Sequence, residues 1–377
     1  MKVLGIAVAI AFPMAAMAGV YGDTPDAKHA WAVHDWNRPK PSKVAVDAKT
    51  GIPSDAKVLF DGTKASLEKN WCDEKGNPTR WQFSEEGYFY SLPGWKNGGG
   101  IFSREAFGDC QLHLEFRHDP KQLLTNQGPQ MRGNSGVFLM GPKYGYEVQV
   151  LESYHTSKEA EGKPGFVDNY ADGQAGSIYA ENPPMVNPAN APGEWQTYDI
   201  VFHQPRWKDG KMVHPGSVTV FFNGVLVQDH WEMEGQTTHC RRRPCKEHPT
   251  TGPLHLQDHG CVVQFRNIWY RPLPSRWDNL THSEMSADPE KVMALRRQTA
   301  AKLYAKIADP KAATAENVKA LAEVISYANE GVYAEAFKAA LEAYKAKPGN
   351  ANEVRGVNNA LNVLIRNKVL PETVRIR

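Results

Sequence analysis

The chain has 377 residues, with 44 Lys and Arg against 42 Asp and Glu, a formal charge of +2. This near balance gives no electrostatic reason to expect nucleic acid, whose partners carry a basic excess on one face. Beyond its first residues the chain has no run approaching the ~20 apolar residues of a membrane span, and nothing in it fixes an oligomeric state.

It opens MKVLGIAVAIAFPMAAMAG, with Lys2, an apolar run over 3–12, and Ala16-Met17-Ala18 as a small-x-small cleavage signal. This composition predicts a secretory signal peptide over residues 1–18, cut after Ala18, and hence a periplasmic or secreted protein. Residue 19 is glycine, where a lipid-anchored N-terminus would carry cysteine. Residues 19–55 are rich in Pro, Asp and Lys, with Trp31 and Trp36 but no sustained period, and are expected to form an N-terminal arm over the surface.

Residues 56–275 have a different texture, with short runs of Val, Ile, Phe, Tyr and Trp punctuated by Gly, Pro and Asn. Strands are predicted over 81–91, 99–104, 110–118, 135–141, 146–152, 195–204, 216–229 and 261–273, which together indicate an all-β sandwich or barrel. Asn223-Gly224 between VTVFF and VLVQD is a type I′ hairpin signal, because both residues tolerate positive φ. Gln111, His113 and Glu115 alternate with Leu112, Leu114 and Phe116, so that strand has one wet face. Five cysteines follow the leader, and Cys240 and Cys245 bracket an arginine-rich loop in THCRRRPCKEH. A local disulfide is the simplest reading in an oxidising compartment. The competing reading, a metal held by His239, Cys240, Cys245 and His248, matches no standard zinc spacing. Residues 285–377 are read as an all-α appendage. Asp288-Pro289 and Thr314 cap its first two helices, and Ala-rich amphipathic segments follow near 333–346 and 351–367.

The chemistry-bearing residues cluster near strand ends. In YEVQVLESYH the acids Glu147 and Glu152 are five apart, which on a regular strand puts them on opposite faces. A β-bulge between Gln149 and Glu152 would bring Glu147, Gln149 and Glu152 to one surface, with His155 at its rim. The resulting E-x-Q-x-x-E strand resembles the E-x-D-x-x-E strand of laminarinase-type glucanases, with Gln149 in place of the aspartate. Arg132 and Asn134 precede one strand, and Gln257-Asp258-His259 are read as a turn between strands. Arg132 could hold an anionic oxygen, and a neighbouring His or carboxylate could move a proton. Carboxylates, imidazole and amide oxygen could also gather a divalent cation, although no spacing demands one.

Taken in order, NSGVFL, YEVQVLES, GSIY, PGEWQTYDIVF, VTVFFNGVLVQD, GPLHLQDHG and VVQFRNIWYRPL resemble the 3-keto-disaccharide hydrolase domain family. The resemblance runs from about Lys57 to Pro274 and omits both the helical region and the THCRRRPCKEHP insert. It implies a concanavalin-A-like jelly-roll β-sandwich acting on a small carbohydrate already oxidised at C3. A C3 ketone acidifies the C2 proton, so a base can form the enolate and the C1 aglycone leaves by β-elimination, with or without water addition. For such a reaction the strand geometry offers Glu152 or His155 as base, Arg132 as enolate stabiliser, and Glu147 or Asp258 with His259 as acid or metal ligand. Gln149, Asn134 and Gln257 are the substrate-binding candidates. Two other readings stand beside it: a non-catalytic carbohydrate-binding sandwich module, and a glucanase, against which Gln149 argues.

Overall fold

The computed structural model describes residues 22–94, 99–123, 128–274 and 288–376, which fall into two units, one of residues 43–273 and one of the remainder. The leader expected over 1–18 lies outside the described residues. The first unit holds fifteen strands: β1 Lys57–Phe60, β2 Trp71–Cys72, β3 Gln82–Ser84, β4 Tyr88–Tyr90, β5 Ile101–Phe107, β6 Cys110–Arg117, β7 Ser135–Leu139, β8 Tyr146–Val150, β9 Gln196–His203, β10 Arg206–Lys208, β11 Lys211–His214, β12 Ser217–Phe222, β13 Val225–Glu232, β14 Gly252–Leu256 and β15 Gln264–Pro272. One sheet runs β13-β12-β9-β6-β15-β4-β3, with β1 also on β15; a second runs β2-β5-β14-β7-β8. Neighbouring strands pair antiparallel.

Period-two alternation builds the sandwich. Leu112, Leu114 and Phe116 of β6 and Tyr198, Ile200 and Phe202 of β9 are buried. They share one core with Val137, Leu139, Tyr146, Val148 and Val150 of the smaller sheet. Each such side chain contributes about 1.5–3 kcal/mol by leaving water. At the tip of β12–β13, Asn223 and Gly224 both have positive φ, 50° and 76°, and close the two-residue hairpin. This is the jelly-roll class expected from the sequence, followed by the helical region.

Two expectations change. Gly252–Leu256 forms a central strand, β14, that was not among the predicted strands, with Gln257-Asp258-His259 in the connection from it to β15. The cysteines at 240 and 245 are free thiols rather than a disulfide. Cys240 Sγ lies 3.2 Å from His239 Nε2, while Cys245 Sγ lies 3.0 Å from the Tyr146 hydroxyl. Among the described residues no group of three or more His, Cys, Asp or Glu is gathered for a metal ion, so the four-residue set does not form there.

In the second unit, helices α3 Pro289–Tyr304, α5 Gly331–Ala346 and α6 Ala351–Arg366 pack on α4 Ala315–Tyr327; α1 Lys64–Asn70 and α2 Gly141–Tyr144 belong to the sandwich. Asp288, Thr314 and Asn350 each accept backbone N–H bonds as N-caps. The expected N-terminal arm divides. Residues 22–42 belong to the helical unit, where Trp31 meets Tyr327 edge-on at 6.5 Å and Asn37 donates to Glu323 at 2.8 Å.

Candidate functional site

The strand bearing Glu147 sits at the edge of the smaller sheet, and its register against β7 is regular from Tyr146 to Val150. The expected bulge is absent from this strand. The irregularity lies on the partner segment, where Gly133 adopts φ +64° and Glu152 N–H donates to the Arg132 carbonyl at 2.9 Å. That slip adds its residue on the β7 side, so Glu152 keeps the parity of core-facing Val148 and Val150. Its carboxylate accepts from Arg132 Nε at 3.0 Å and Nη2 at 2.8 Å, and from His155 N–H at 3.2 Å. The His155 ring Nδ1 lies 3.1 Å from the same carboxylate. Burial opposes ionisation of Glu152, but the Arg132 bond and the charges of His155 and Arg132 outweigh it and hold its pKa low. His118, which follows Phe116 on the core-facing positions of β6, completes this cluster. Glu152, Arg132 and His155 therefore gather with one another and apart from Glu147, and the expected two-glutamate floor does not form.

Glu147 and Gln149 occupy the opposite face, away from the core. Pairing lines up Phe102, His255, Phe138 and Glu147 as one row across β5, β14, β7 and β8. Tyr179 extends the row, since its N–H donates to the Glu147 carbonyl and the neighbouring Ile178 bridges Val148. Gln257, Gly136, Gln149 and Ser177 form the next row. Gly136 is required there, because a Cβ on it would come within 2.2 Å of Glu147 Oε1. Asn134 overhangs this row, accepting from Gln149 Nε2 at 3.2 Å.

This face concentrates buried polar atoms that make no protein hydrogen bond among the described residues: Ser177 Oγ, His255 Nδ1, Gln257 Oε1 and Asp258 Oδ2. Buried polar groups are normally satisfied, so such a concentration marks a surface prepared for a polar ligand. Glu147 is 4% exposed, and burial pushes its carboxyl up to about 8. Burial likewise raises Asp258, and it lowers His259 and His255, the latter to about 4, so neutral imidazoles face the site. Above Glu147 the Tyr179 hydroxyl lies 2.9 Å from His239 Nδ1 and 3.3 Å from the Tyr170 hydroxyl. Of the sequence candidates, Glu147, Gln149, Asn134, Gln257, Asp258 and His259 come together here. Sequence reasoning missed Tyr170, Tyr179 and His255, and weighed His239 only as a metal ligand. Only the alternation of LHLQ could have indicated His255, once read as a strand beside Gln257.

The family model described as "3-keto-alpha-glucoside-1,2-lyase-like domain" matches residues 55–271. Among solved structures, a protein of Parabacteroides distasonis ATCC 8503 provisionally described as a glycosyl hydrolase is 36% identical. The match covers 64% of this chain and 95% of that one, with a TM-score of 0.53. A second protein of that organism, described in the same way, is 22% identical over 62% of this chain and 100% of its own, with a TM-score of 0.42. Alginate lyase Aly36B is 12% identical over 59% of this chain and 94% of its own, with a TM-score of 0.32. Comparison with curated proteins finds no match.

Proposed function

Because the chain belongs to the 3-keto-alpha-glucoside-1,2-lyase-like domain family and is thereby a carbohydrate-active enzyme, we propose that it cleaves 3-keto-glycosides by β-elimination. The observation that carries this reading is the pairing of a buried, proton-retaining Glu147 with unsatisfied polar atoms of Gln257, Asp258 and His255 on one sheet face. A carboxyl raised to about 8 is mostly protonated at neutral pH and suits the acid that protonates the departing C1 oxygen. His259, kept neutral by burial, suits the base that takes the C2 proton. The C2–H electrons form the enolate, the C1–O bond breaks, and the sugar is left as an enone to which water can add at C1. Gln149, Gln257 and Asn134 would hold hydroxyl and carbonyl oxygens, and Ser177 adds a hydroxyl beside them.

The geometry supports moving the base away from Glu152 and His155, and the enolate-stabilising role away from Arg132. Glu152 is held by Arg132 and His155 on the face opposite that of Glu147. The test is incubation with 3-keto-trehalose or a chromogenic 3-keto-glucoside in deuterated water, with and without EDTA. Aglycone release is expected, leaving an enone with no hydrogen at C2, and product that has taken up water at C1 should carry deuterium at C2. Binding without release would replace the enzyme by a carbohydrate-binding module, and loss of turnover in EDTA would add a metal to the site. We also propose that the reaction takes place outside the cytoplasm, on the strength of the leader-like residues 1–18. N-terminal sequencing of the mature protein, expected to begin at Gly19, checks this.

A further inference from the structure

The insert THCRRRPCKEHP is fastened to the strand that carries Glu147. Glu147 N–H donates to Thr237 Oγ1 at 2.9 Å, and Thr237 N–H donates to the Gly145 carbonyl at 3.0 Å. At the base of the loop, Cys245 N–H donates to the Glu234 carbonyl at 3.1 Å. Gln236 closes onto Lys246 in both directions, at 2.9 and 3.1 Å. At the tip Thr238 Oγ1 donates to the Arg241 carbonyl at 2.7 Å, and Cys240 turns the chain with φ +55°. His239 stacks on Tyr179 at an interplanar angle of 12° and lies near enough to His259 to affect its titration. The loop is therefore a fixed wall beside Glu147.

Arg241, Arg242 and Arg243 follow the tip and line a groove with Tyr179 and Thr238. All three are exposed, and none forms an ion pair among the described residues. The groove also holds Glu181 and Glu234. Glu181 is engaged elsewhere, accepting from Trp231 Nε1 at 2.8 Å and from Glu234 N–H at 2.5 Å, and burial raises its pKa. Among the described residues lining this groove, three guanidiniums outnumber the one exposed carboxylate, that of Glu234. Guanidinium is also the side chain best shaped to receive a carboxylate bidentately.

We propose that this arginine wall is a subsite for a carboxylate on the leaving group, so that the enzyme prefers 3-keto-glycosides whose aglycone is a uronic acid. The preference rests on the 3-keto-glycoside reading for turnover, but the subsite can be tested by binding alone. Two matched disaccharides, one ending in glucuronate and one in glucose, are titrated against the wild type at low and high salt. They are also titrated against R241A/R242A/R243A and against R242E. Their 3-keto forms are assayed in parallel. The wild type is expected to favour the glucuronate partner about tenfold at low salt, with the preference shrinking at high salt. The triple variant should bring the ratio near one, and R242E below the wild-type value, while binding of the neutral partner is unchanged. A wild-type ratio near one, or a ratio the triple variant does not alter, overturns the subsite. Preserved binding selectivity without turnover of either 3-keto form upholds the subsite and rejects the proposed reaction.

Discussion

Glu147 and Glu152 have the same chemistry and share a five-residue separation, yet parity sends one to a dry polar face and the other to a salt bridge. Glu147 is the group whose burial works against the fold. Its raised folded pKa means that stability present below the unfolded value near 4.5 is lost as pH rises toward about 8. Glu147→Gln removes that penalty and is expected to stabilise the sandwich by roughly 1–3 kcal/mol at pH 8, with no gain near pH 4, measured by urea unfolding. The same variant should lose about 10²-fold or more in kcat, and wild-type kcat/KM should decline above about pH 8 as the acid ionises. A variant that is both more stable and fully active would remove Glu147 from the chemistry. Arg132→Ala should behave in the opposite way. Leaving the Glu152 carboxylate buried without its guanidinium costs about 3–5 kcal/mol, so the urea midpoint should fall while turnover of the folded fraction stays within a few-fold. The sequence made all of these residues visible as candidates. The partition between them was legible only as the regular-strand alternative to a bulge, because the strand itself does not show that the extra residue falls at Gly133, in the segment opposite.

Elements with many alternating residues were readable, as were the five-residue strands β7 and β8, while β14 was not. Residues 110–117 and 196–203 alternate over eight positions each, and both emerge as predicted. By contrast β14 has five residues beginning Gly-Pro and was not predicted as a strand, although it is paired on both sides between β5 and β7. Its pairing partners, distant in sequence, are what make it a strand. The wet face predicted for β6 carries an ionic ladder that no single strand could disclose. His113 Nδ1 lies 2.7 Å from Asp199, and its ring stacks on Trp269 at 5.0 Å. Arg266 donates to Glu115 at 2.6 Å. Burial alone would lower His113, but the bonds to Asp199 and Glu115 override it and raise the ring to about 9, while Glu115 is lowered to about 2. A histidine whose folded pKa exceeds its unfolded value stabilises fully below about pH 6.5 and loses that contribution as pH rises through 9. The unfolding free energy of the wild type, measured in urea, should therefore drop between pH 6.5 and pH 9.5 by roughly 1–2 kcal/mol. In His113→Gln that slope should flatten. An unchanged slope would mean that the ladder contributes nothing to stability.

For the whole molecule, the division of the chain was legible from texture except at its beginning. Residues 19–55 have no period of their own, so the sequence could not show which packing surface claims them. In the structure residues 22–42 complete the helical unit: Ala30 packs with Val292, and Arg296 donates to the Asp26 carbonyl and to the Tyr327 carbonyl. The hydroxyl of Tyr327 donates to Asp35. Residues 43–55 instead serve the sandwich, where Asp55 accepts from Arg271 Nε and Nη2 and the Thr50 carbonyl accepts from Asn267. Where the chain is cut should therefore matter more than how much is removed. A chain of residues 43–273 retains the whole sandwich core and every residue of the candidate site, so it should stay soluble and keep its turnover. A chain of residues 22–273 keeps the arm but removes the helices that bury Ala30 and shield Trp31, leaving an apolar strap that is expected to be cleaved first by protease and to promote aggregation. Limited proteolysis of the 22–273 chain beside the full-length protein checks this. Residues 22–42 resisting cleavage equally in both would mean that the arm is held by something other than the helical unit.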